Sequence, residues 1–219
     1  MDWTSVSSLS SLRDLSVSLE DESMQHPFMS GMLGIYAGKD DRERRISLSP
    51  IFSIVELRSI RCDFSRRPYA GEVLKDVKVY LTNVNAECRI LEHSEILPSR
   101  IINAGKLREE DIDMFPDQEL IVRDIEGDIG KKVRHPGIQL ICYPNNSQNE
   151  GPGTPFTRLV IEGKIEGDTY FWPLNINKDE EGYGIGRNEK YVFDVSITRK
   201  GSPSPDIPVS KEDIDIIFS

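Results

Sequence analysis

The sequence lacks the features that mark membrane-spanning, secreted and zinc-binding proteins. No apolar run approaches the ~18 residues of a membrane helix, and no basic start followed by an apolar block opens the chain. The three cysteines, Cys62, Cys88 and Cys142, form no C-x-x-C pair, which excludes the usual zinc and thioredoxin signatures. Taken alone, these absences predict a soluble cytoplasmic protein whose cysteines are small buried hydrophobic residues.

Positive charge is also scarce. The 219 residues carry 27 basic against 37 acidic side chains, a formal net charge of -10. Nucleic-acid-binding proteins need a basic stripe, so this balance argues against a nucleic-acid partner. A hydrophobic fraction of 37% is nevertheless high enough to build a core, which excludes a wholly disordered chain.

Catalytic motifs are missing as well. The chain has no G-x-S-x-G elbow, and its histidines lie in polar or loop segments: His26, His93 and His135. Glu162, Glu166 and Asp168 lie close together, as a glycosidase's carboxylates could, but acidic turns are common in a chain with 37 carboxylates. We therefore predict a protein that is not an enzyme and needs no catalytic residue, metal or cofactor.

Residues 182–186 read GYGIG, which resembles a loop that cradles a phosphate. A dinucleotide-binding loop needs a helix after its glycines, whereas the strand-like run YVFDVSIT follows here. We predict a tight crossover in which the glycines allow positive φ angles. In the same loop, Asn177, Asp179 and Glu181 echo a calcium loop, but Asn188 replaces its bidentate Glu. A cation site and a plain solvated loop both stay open for these residues.

Alternation of apolar and polar residues predicts an all-β protein. In residues 74–84, Val77, Val79 and Leu81 share one face, and residues 189–198 alternate in the same way. Further strands are predicted at residues 46–64, 86–91, 137–143, 156–161, 169–176 and 213–218. Pro173 predicts an edge or bulged strand, and residues 106–115 are the one helical candidate. Many short strands separated by Gly, Pro and Asn turns are typical of β-sandwiches.

Three adjacent aromatic residues, Tyr170, Phe171 and Trp172, lie on one predicted strand. In the simpler interpretation Tyr170 and Trp172 face one way and Phe171 the other, and all three pack. In the alternative, Tyr170 and Trp172 are exposed and stack on a sugar ring, so that the protein is a carbohydrate-binding β-sandwich of a surface glycan system. A buried Trp172 would exclude this alternative.

Five segments follow one another in a distinctive order: YLTNVNAE (80–87), ICYPNN (141–146), PFTRLVIEGKIEG (155–167), TYFWPLNIN (169–177) and IGRNEKYVFDVSITRKGSPSPD (185–206). In order and spacing they resemble the fimbrillin superfamily of Bacteroidales, and within it the anchor-type, FimB/Mfa2-like fimbrial subunits. The residues at matching positions are Asn145, Thr157, Arg158, Leu159, Gly163, Pro173, Arg187, Asn188, Tyr191 and Gly201.

This resemblance implies two tandem transthyretin-like β-sandwich domains, the first incomplete. With a turn at residues 103–105, it predicts a weakly ordered lead or partial strand at 1–27, a truncated N-terminal sandwich at 28–104 and a C-terminal sandwich at 105–219. The family implies a surface protein of the type V pilus, attached to the outer membrane as a lipoprotein. Its stalk subunits join by donor-strand exchange, in which one subunit's strand completes another's sheet.

The chain departs from the family at its start, which shows neither a signal peptide nor a lipid-bearing cysteine, and at its end, where the last strand stops at Ser219. We expect it to be truncated at both ends. Its predicted role is a fimbrial anchor or accessory subunit that binds other subunits by strand complementation. The candidate interface strands are residues 76–83 and 213–218. The candidate interface residues on these strands are Val77, Val79, Leu81, Ile214, Ile216 and Phe218.

Overall fold

A computed structural model describes residues 6–34, 45–65, 68–91, 98–147, 155–176, 184–207, 209 and 214–218. Its strands are β1 (Ser16–Ser18), β2 (Met29–Ser30), β3 (Ser49–Pro50), β4 (Ser53–Cys62), β5 (Lys75–Thr82), β6 (Val84–Asn85), β7 (Glu87–Arg89), β8 (Ile101–Ile102), β9 (Val122–Ile125), β10 (Ile138–Cys142), β11 (Arg158–Ile165), β12 (Asp168–Asn175), β13 (Lys190–Ile197) and β14 (Ile214–Phe218). Two short α-helices, α1 (Leu9–Arg13) and α2 (Glu109–Ile112), accompany 3-10 turns at Leu19–Asp21 and Gln118–Leu120. None of the helices in these ranges is long and apolar enough to cross a membrane.

Two four-stranded sheets form the body of the molecule. Sheet I has the order β10-β4-β13-β14, and sheet II has the order β12-β11-β5-β9. Within them β13 and β4 run parallel, and every other neighbouring pair is antiparallel. Buried apolar residues of both sheets belong to one continuous cluster, which includes Leu57, Phe193, Leu81 and Ile161. The all-β sandwich prediction is therefore confirmed.

The predicted division at residues 104 and 105 needs correction. Strands β4 and β5 precede it, yet they pair with β10, β13, β11 and β9, which all follow it. The predicted turn is real, because Asn103 and Gly105 have positive φ angles of 50° and 71°. The chain then returns to the same two sheets, so the turn does not separate two tandem sandwiches.

The amino-terminal segment is part of the packed structure. Strand β1 pairs with β7, which matches the partial-strand interpretation of this segment. Val17 and Leu19 belong to the core cluster. The buried carboxylate of Glu22 accepts hydrogen bonds from the Tyr143 hydroxyl at 2.9 Å and the Phe28 amide at 3.1 Å. Burial raises the pKa of Glu22, and the two donors explain how the carboxylate is tolerated there.

Buried asparagines join the loops at one end of the sandwich. The side chain of Asn83 donates to the Phe156 carbonyl at 3.0 Å and accepts from the Gly105 amide at 2.8 Å. Asn103 donates to the Leu81 carbonyl at 3.1 Å. Both asparagines have positive φ, near 55° and 50°, which asparagine tolerates better than most residues. Their side chains thus pair backbone groups where the strands of sheet II end.

Two of the residues that carry the family resemblance belong to the same network. Asn145 donates to the Pro155 carbonyl at 3.1 Å and to the Thr157 hydroxyl at 3.0 Å. The Thr157 hydroxyl in turn donates to the Asn83 carbonyl at 2.8 Å. These motif positions therefore connect the ends of β5, β10 and β11, which is a structural role.

We expect Asn83→Ala to lower the free energy of unfolding by about 3 kcal/mol, because it leaves buried backbone groups unpaired and places alanine at positive φ. Urea titration followed by tryptophan fluorescence measures the loss. Asn83→Gly is the matched control: it removes the same hydrogen bonds but relieves the φ strain, so its loss should be smaller. An Asn83→Ala loss under ~0.5 kcal/mol, the size of an ordinary surface substitution, would contradict the network's role.

Candidate assembly site

The sandwich has four edge strands: β10 and β14 in sheet I, and β12 and β9 in sheet II. The 3-10 turn at Gln118–Leu120 contacts both β9 and β10, so it lies between these two edges. The remaining edges are β12 and β14. Because an edge strand presents backbone N–H and C=O groups to any strand that approaches, these two edges are the candidate surfaces for assembly.

Strand β14 completes sheet I by pairing with β13. The register places Ile214, Ile216 and Phe218 opposite Ile197, Val195 and Phe193. These three residues of β13 are buried and belong to the core cluster. Strand β14 therefore pairs position by position with a strand whose residues Phe193, Val195 and Ile197 are buried.

The other predicted interface strand, β5, is not an edge, and that prediction was wrong. Strand β5 lies between β11 and β9, and Val77, Val79 and Leu81 are fully buried. An alternating pattern shows that one face is buried but does not show how many neighbours a strand has. The second face of β5 is covered in its later half, where Tyr80 is buried and donates a hydrogen bond to Glu162 at 3.1 Å.

Polar side chains tie β13 to β4 on the outer face of sheet I. Lys190 pairs with Glu56 at 2.5 Å, and the Arg61 guanidinium donates to the Ser196 hydroxyl at 2.8 Å. The Asp194 carboxylate accepts from Arg58 and from the Ser59 hydroxyl. The hydrogen bonds from Arg58 and Ser59 lower the pKa of Asp194 to about 2. Strand β13 is therefore held by side chains on its β4 side, independently of β14.

Trp172 is buried, with 0% of its surface exposed, and its indole N–H donates to the Arg199 carbonyl at 3.2 Å. Tyr170 is buried too, with the Lys200 Nζ 4.4 Å from its ring centroid. Neither ring can stack on a sugar, so the carbohydrate-binding alternative was wrong for these residues. Phe171 is half-buried on the opposite face, which confirms the packing interpretation.

The predicted carboxylate cluster divides between a strand and a turn. Glu162 lies in β11, where it accepts the Tyr80 hydrogen bond. Glu166 and Gly167 have positive φ of 52° and 95° and form the tight connection from β11 to β12, beside Asp168. Glu166 and Asp168 are exposed. Glu162, Glu166 and Asp168 therefore belong to the β-hairpin that β11 and β12 form.

The remaining motif predictions fall partly outside the described residues. Asn177, Asp179, Glu181 and Gly182 all lie there. Strand β13 follows the glycines, as predicted, in place of the helix that a phosphate loop requires. Within the described part of the chain, no group of three or more His, Cys, Asp or Glu side chains could hold a metal ion.

The cysteines are buried, as predicted, and all three are free thiols. Burial raises the pKa of the Cys62 and Cys142 thiols to about 12, and it raises that of Cys88 as well. All three thiols are therefore protonated and unreactive at neutral pH.

Solved structures with the same arrangement of strands come from Bacteroidales. A candidate cell adhesion protein from Bacteroides eggerthii has a TM-score of 0.69 and 16% identity over 99% of this chain and 71% of its own. A fimbrilin from Porphyromonas gingivalis has a TM-score of 0.63 and 12% identity over 96% of this chain and 74% of its own. A candidate cell adhesion protein from Parabacteroides distasonis has a TM-score of 0.61 and 16% identity, covering 98% and 70%.

The chain has the fimbrilin fold. No protein-family model matches it, and no curated protein sequence does. At these identities the likeness is one of fold, and it agrees with the all-β sandwich part of the expectation from the sequence resemblance.

Several residues that carry the resemblance support the fimbrilin fold by close packing. A Cβ atom at Gly163 would lie 2.7 Å from the Leu74 side chain, and one at Gly201 would lie 2.4 Å from the Phe171 carbonyl oxygen. The Arg187 guanidinium donates to the Ser30 hydroxyl at 2.8 Å and to the Ile90 carbonyl at 2.7 Å, which ties the amino-terminal segment to the body.

Sequence reasoning missed one contact on the side of the sandwich where the edge strands β12 and β14 lie, here called the open side. Ser202, in the proline-rich run that follows β13, pairs with Phe171 of edge strand β12 through two backbone hydrogen bonds. A single β-bridge leaves no alternating pattern to detect. The one available signal was the glycine before it, since glycine often marks a close approach of two backbones.

The depressed pKa of Asp194 predicts a pH dependence of stability. Its ordinary pKa is near 3.9 and its folded pKa is about 2. Its contribution is therefore complete above pH ~4 and is lost as the pH falls through the folded pKa. Between pH 4 and 2, the unfolding free energy of the native chain should fall more steeply than that of Asp194→Asn.

Urea titrations at several pH values measure these slopes. Asp124→Asn, at an exposed position of β9, is the control and should keep the native slope. Equal slopes for the native chain and Asp194→Asn would show that the contacts with Arg58 and Ser59 do not stabilise the fold.

Proposed function

We propose that this protein is a fimbrial subunit of the bacterial cell surface, an anchor or accessory component of a type V pilus, and that it assembles with other subunits by strand complementation. The observation that carries the proposal is the place of β14. It is an edge strand, and every second one of its residues lies opposite a buried residue of β13. A strand supplied by another subunit could take the same place with the same backbone pairing.

Strand exchange requires a gap beside a sheet edge that a strand from another subunit can fill as well as the chain's own strand does. Without β14, one side of β13 would present unpaired N–H and C=O groups beside the buried residues Phe193, Val195 and Ile197. Strand β13 would keep its other neighbour, because four cross-strand polar contacts hold it to β4. The result would be an ordered groove with alternating apolar positions, which is the form that an incoming strand recognises.

The finer parts of the proposal follow from the sequence resemblance. An anchor-type role implies a place at the outer membrane, reached in full-length relatives through a lipid on a cysteine. The three cysteines described here are buried, so none of them would carry that lipid. The fold neighbours named for adhesion and as fimbrilin support a structural role at the surface over an enzymatic one.

Binding of strand peptides tests the proposal. We would weaken β14 with Ile216→Ser, opposite Val195, and titrate that variant with a peptide of residues 209–219 and with terminal-strand peptides of candidate pilus subunits. A peptide that binds the native state at about 100 times its Kd stabilises the fold by ~2.7 kcal/mol. We expect a corresponding rise in melting temperature, measured by differential scanning fluorimetry.

The control peptide carries Ile214→Ser, Ile216→Ser and Phe218→Ser, which keeps the backbone and removes the apolar side chains. It should leave the melting temperature unchanged. The proposal fails if no strand peptide stabilises the Ile216→Ser variant, or if the control peptide does so equally well.

A further inference from the structure

The second edge on the open side of the sandwich, strand β12, carries a segment of its own chain. Ser202 donates its amide to the Phe171 carbonyl at 2.8 Å and accepts from the Phe171 amide at 2.9 Å. This is an antiparallel β-bridge on the side of β12 that faces away from β11. Residues 199–206, here called the edge cap, therefore occupy the position that a foreign strand would take.

Close packing fixes the edge cap at its centre. The Trp172 indole donates to the Arg199 carbonyl at 3.2 Å, and the Lys200 Nζ lies 4.4 Å from the Tyr170 ring centroid. A Cβ atom at Gly201 would lie 2.4 Å from the Phe171 carbonyl oxygen and 2.8 Å from the Trp172 ring. Since real Cβ atoms do not approach backbone atoms so closely, only glycine lets the cap lie this near to β12.

The far end of the cap is also held. The Asp206 amide donates to the Ser204 hydroxyl at 3.4 Å, and the Ser204 amide donates to the Ser202 hydroxyl at 3.3 Å. The Asp206 carboxylate lies against Gly105, where an added Cβ would be 2.7 Å from its oxygen. The cap is thus paired with β12 at Ser202, and its far end lies against the turn at Gly105.

Proline protects the same edge at the next outward-facing position. In the regular ladder between β11 and β12, alternate residues of β12 direct their backbone groups away from β11. Phe171 is one of these residues, because it bonds to Ser202, and so is Pro173. Pro173 has no N–H to offer an incoming strand. Two successive outward-facing positions of β12 are therefore unavailable to an incoming strand, because Phe171 is already paired with Ser202 and Pro173 has no N–H.

We propose that residues 199–206 act as a built-in cap that prevents β12 from pairing with the β12 strand of a second molecule. Exposed strand edges favour uncontrolled association, and covering an edge with a loop is a recognised defence. The inference does not rest on the proposed function, because it concerns sheet II and holds whether or not β14 exchanges.

The test loosens the cap in the full-length chain. Gly201→Ala forces the cap away from Phe171. The matched control is Gly130→Ala, whose Cβ would make an ordinary contact of 3.5 Å with Val73. Hydrogen exchange at the Phe171 and Ser202 amides, measured at low and high protein concentration, is read beside the molar mass from light scattering.

At low concentration, Gly201→Ala should speed exchange at both amides by ~10-fold or more, since local opening governs their protection. At high concentration the variant should form dimers, and the Phe171 amide should be protected again. Gly130→Ala should match the native chain in all three measurements.

Trp172→Phe provides a second route if Gly201→Ala unfolds the whole domain, because it removes the indole hydrogen bond to Arg199 and shrinks a buried ring without adding an atom that clashes with β12. The same three results are expected from it. Native exchange at Phe171 in the folded variants would overturn the proposal. Faster exchange without dimers at the highest soluble concentration would overturn it equally.

Discussion

The rest of sheet I depends on strand β13, whose apolar face is part of the core and whose backbone is hydrogen-bonded to a neighbour on both sides. Strand β4 supplies one partner, with Lys190, Asp194 and Ser196 as additional side-chain ties. Strand β14 supplies the other. The sandwich is closed only when a strand fills that second position. The backbone sets this requirement, and a strand from any source with the right alternation would meet it.

The two edges on the open side of the sandwich differ in a way that suits this requirement. Strand β12 is covered by residues of its own chain and interrupted by Pro173, so it is a poor template for another strand. The β13 edge carries a regular strand whose register continues through five residues. The β12 edge is thus covered, and the β13 edge is filled by the strand that the proposed function expects another subunit to replace. This asymmetry would direct assembly to sheet I.

Much of the fold could be predicted from the sequence, because alternation and turn residues act locally. The all-β class, the strands and the edge position of the Pro173 strand follow from period-2 patterns and from the missing proline N–H. Pairing partners are not local. Residues 74–84 look the same whether they form an edge or lie between β11 and β9, and Asn103 and Gly105 make the same turn inside a domain as between two.

The candidate site was predictable only in part, for the same reason. The alternation of residues 214–218 identified a strand, and its position at an edge required the sheet order. The three adjacent aromatic residues suggested a sugar-binding face, because neighbours in sequence do not show whether a side chain is buried. Trp172 donates a hydrogen bond to Arg199, which lies 27 positions further along the chain. The motif residues Asn145, Thr157 and Gly201 turned out to bind backbone or allow close packing. These residues stabilise the fold, and the candidate assembly surfaces are the edge strands of the sheets.

The most direct measurement is a disulfide-trapping experiment between two versions of the chain. Ser196 and Asp215 lie opposite each other in the β13–β14 register, at a separation that a disulfide can bridge with small adjustment. The native cysteines are buried with raised thiol pKa values, so they should not interfere. Mixing a Ser196→Cys chain with an Asp215→Cys chain under mild oxidation should yield a covalent heterodimer, because β14 of one molecule replaces that of the other. If a chain with both substitutions closes its internal disulfide while the mixture stays monomeric, β14 does not exchange and the central claim is wrong.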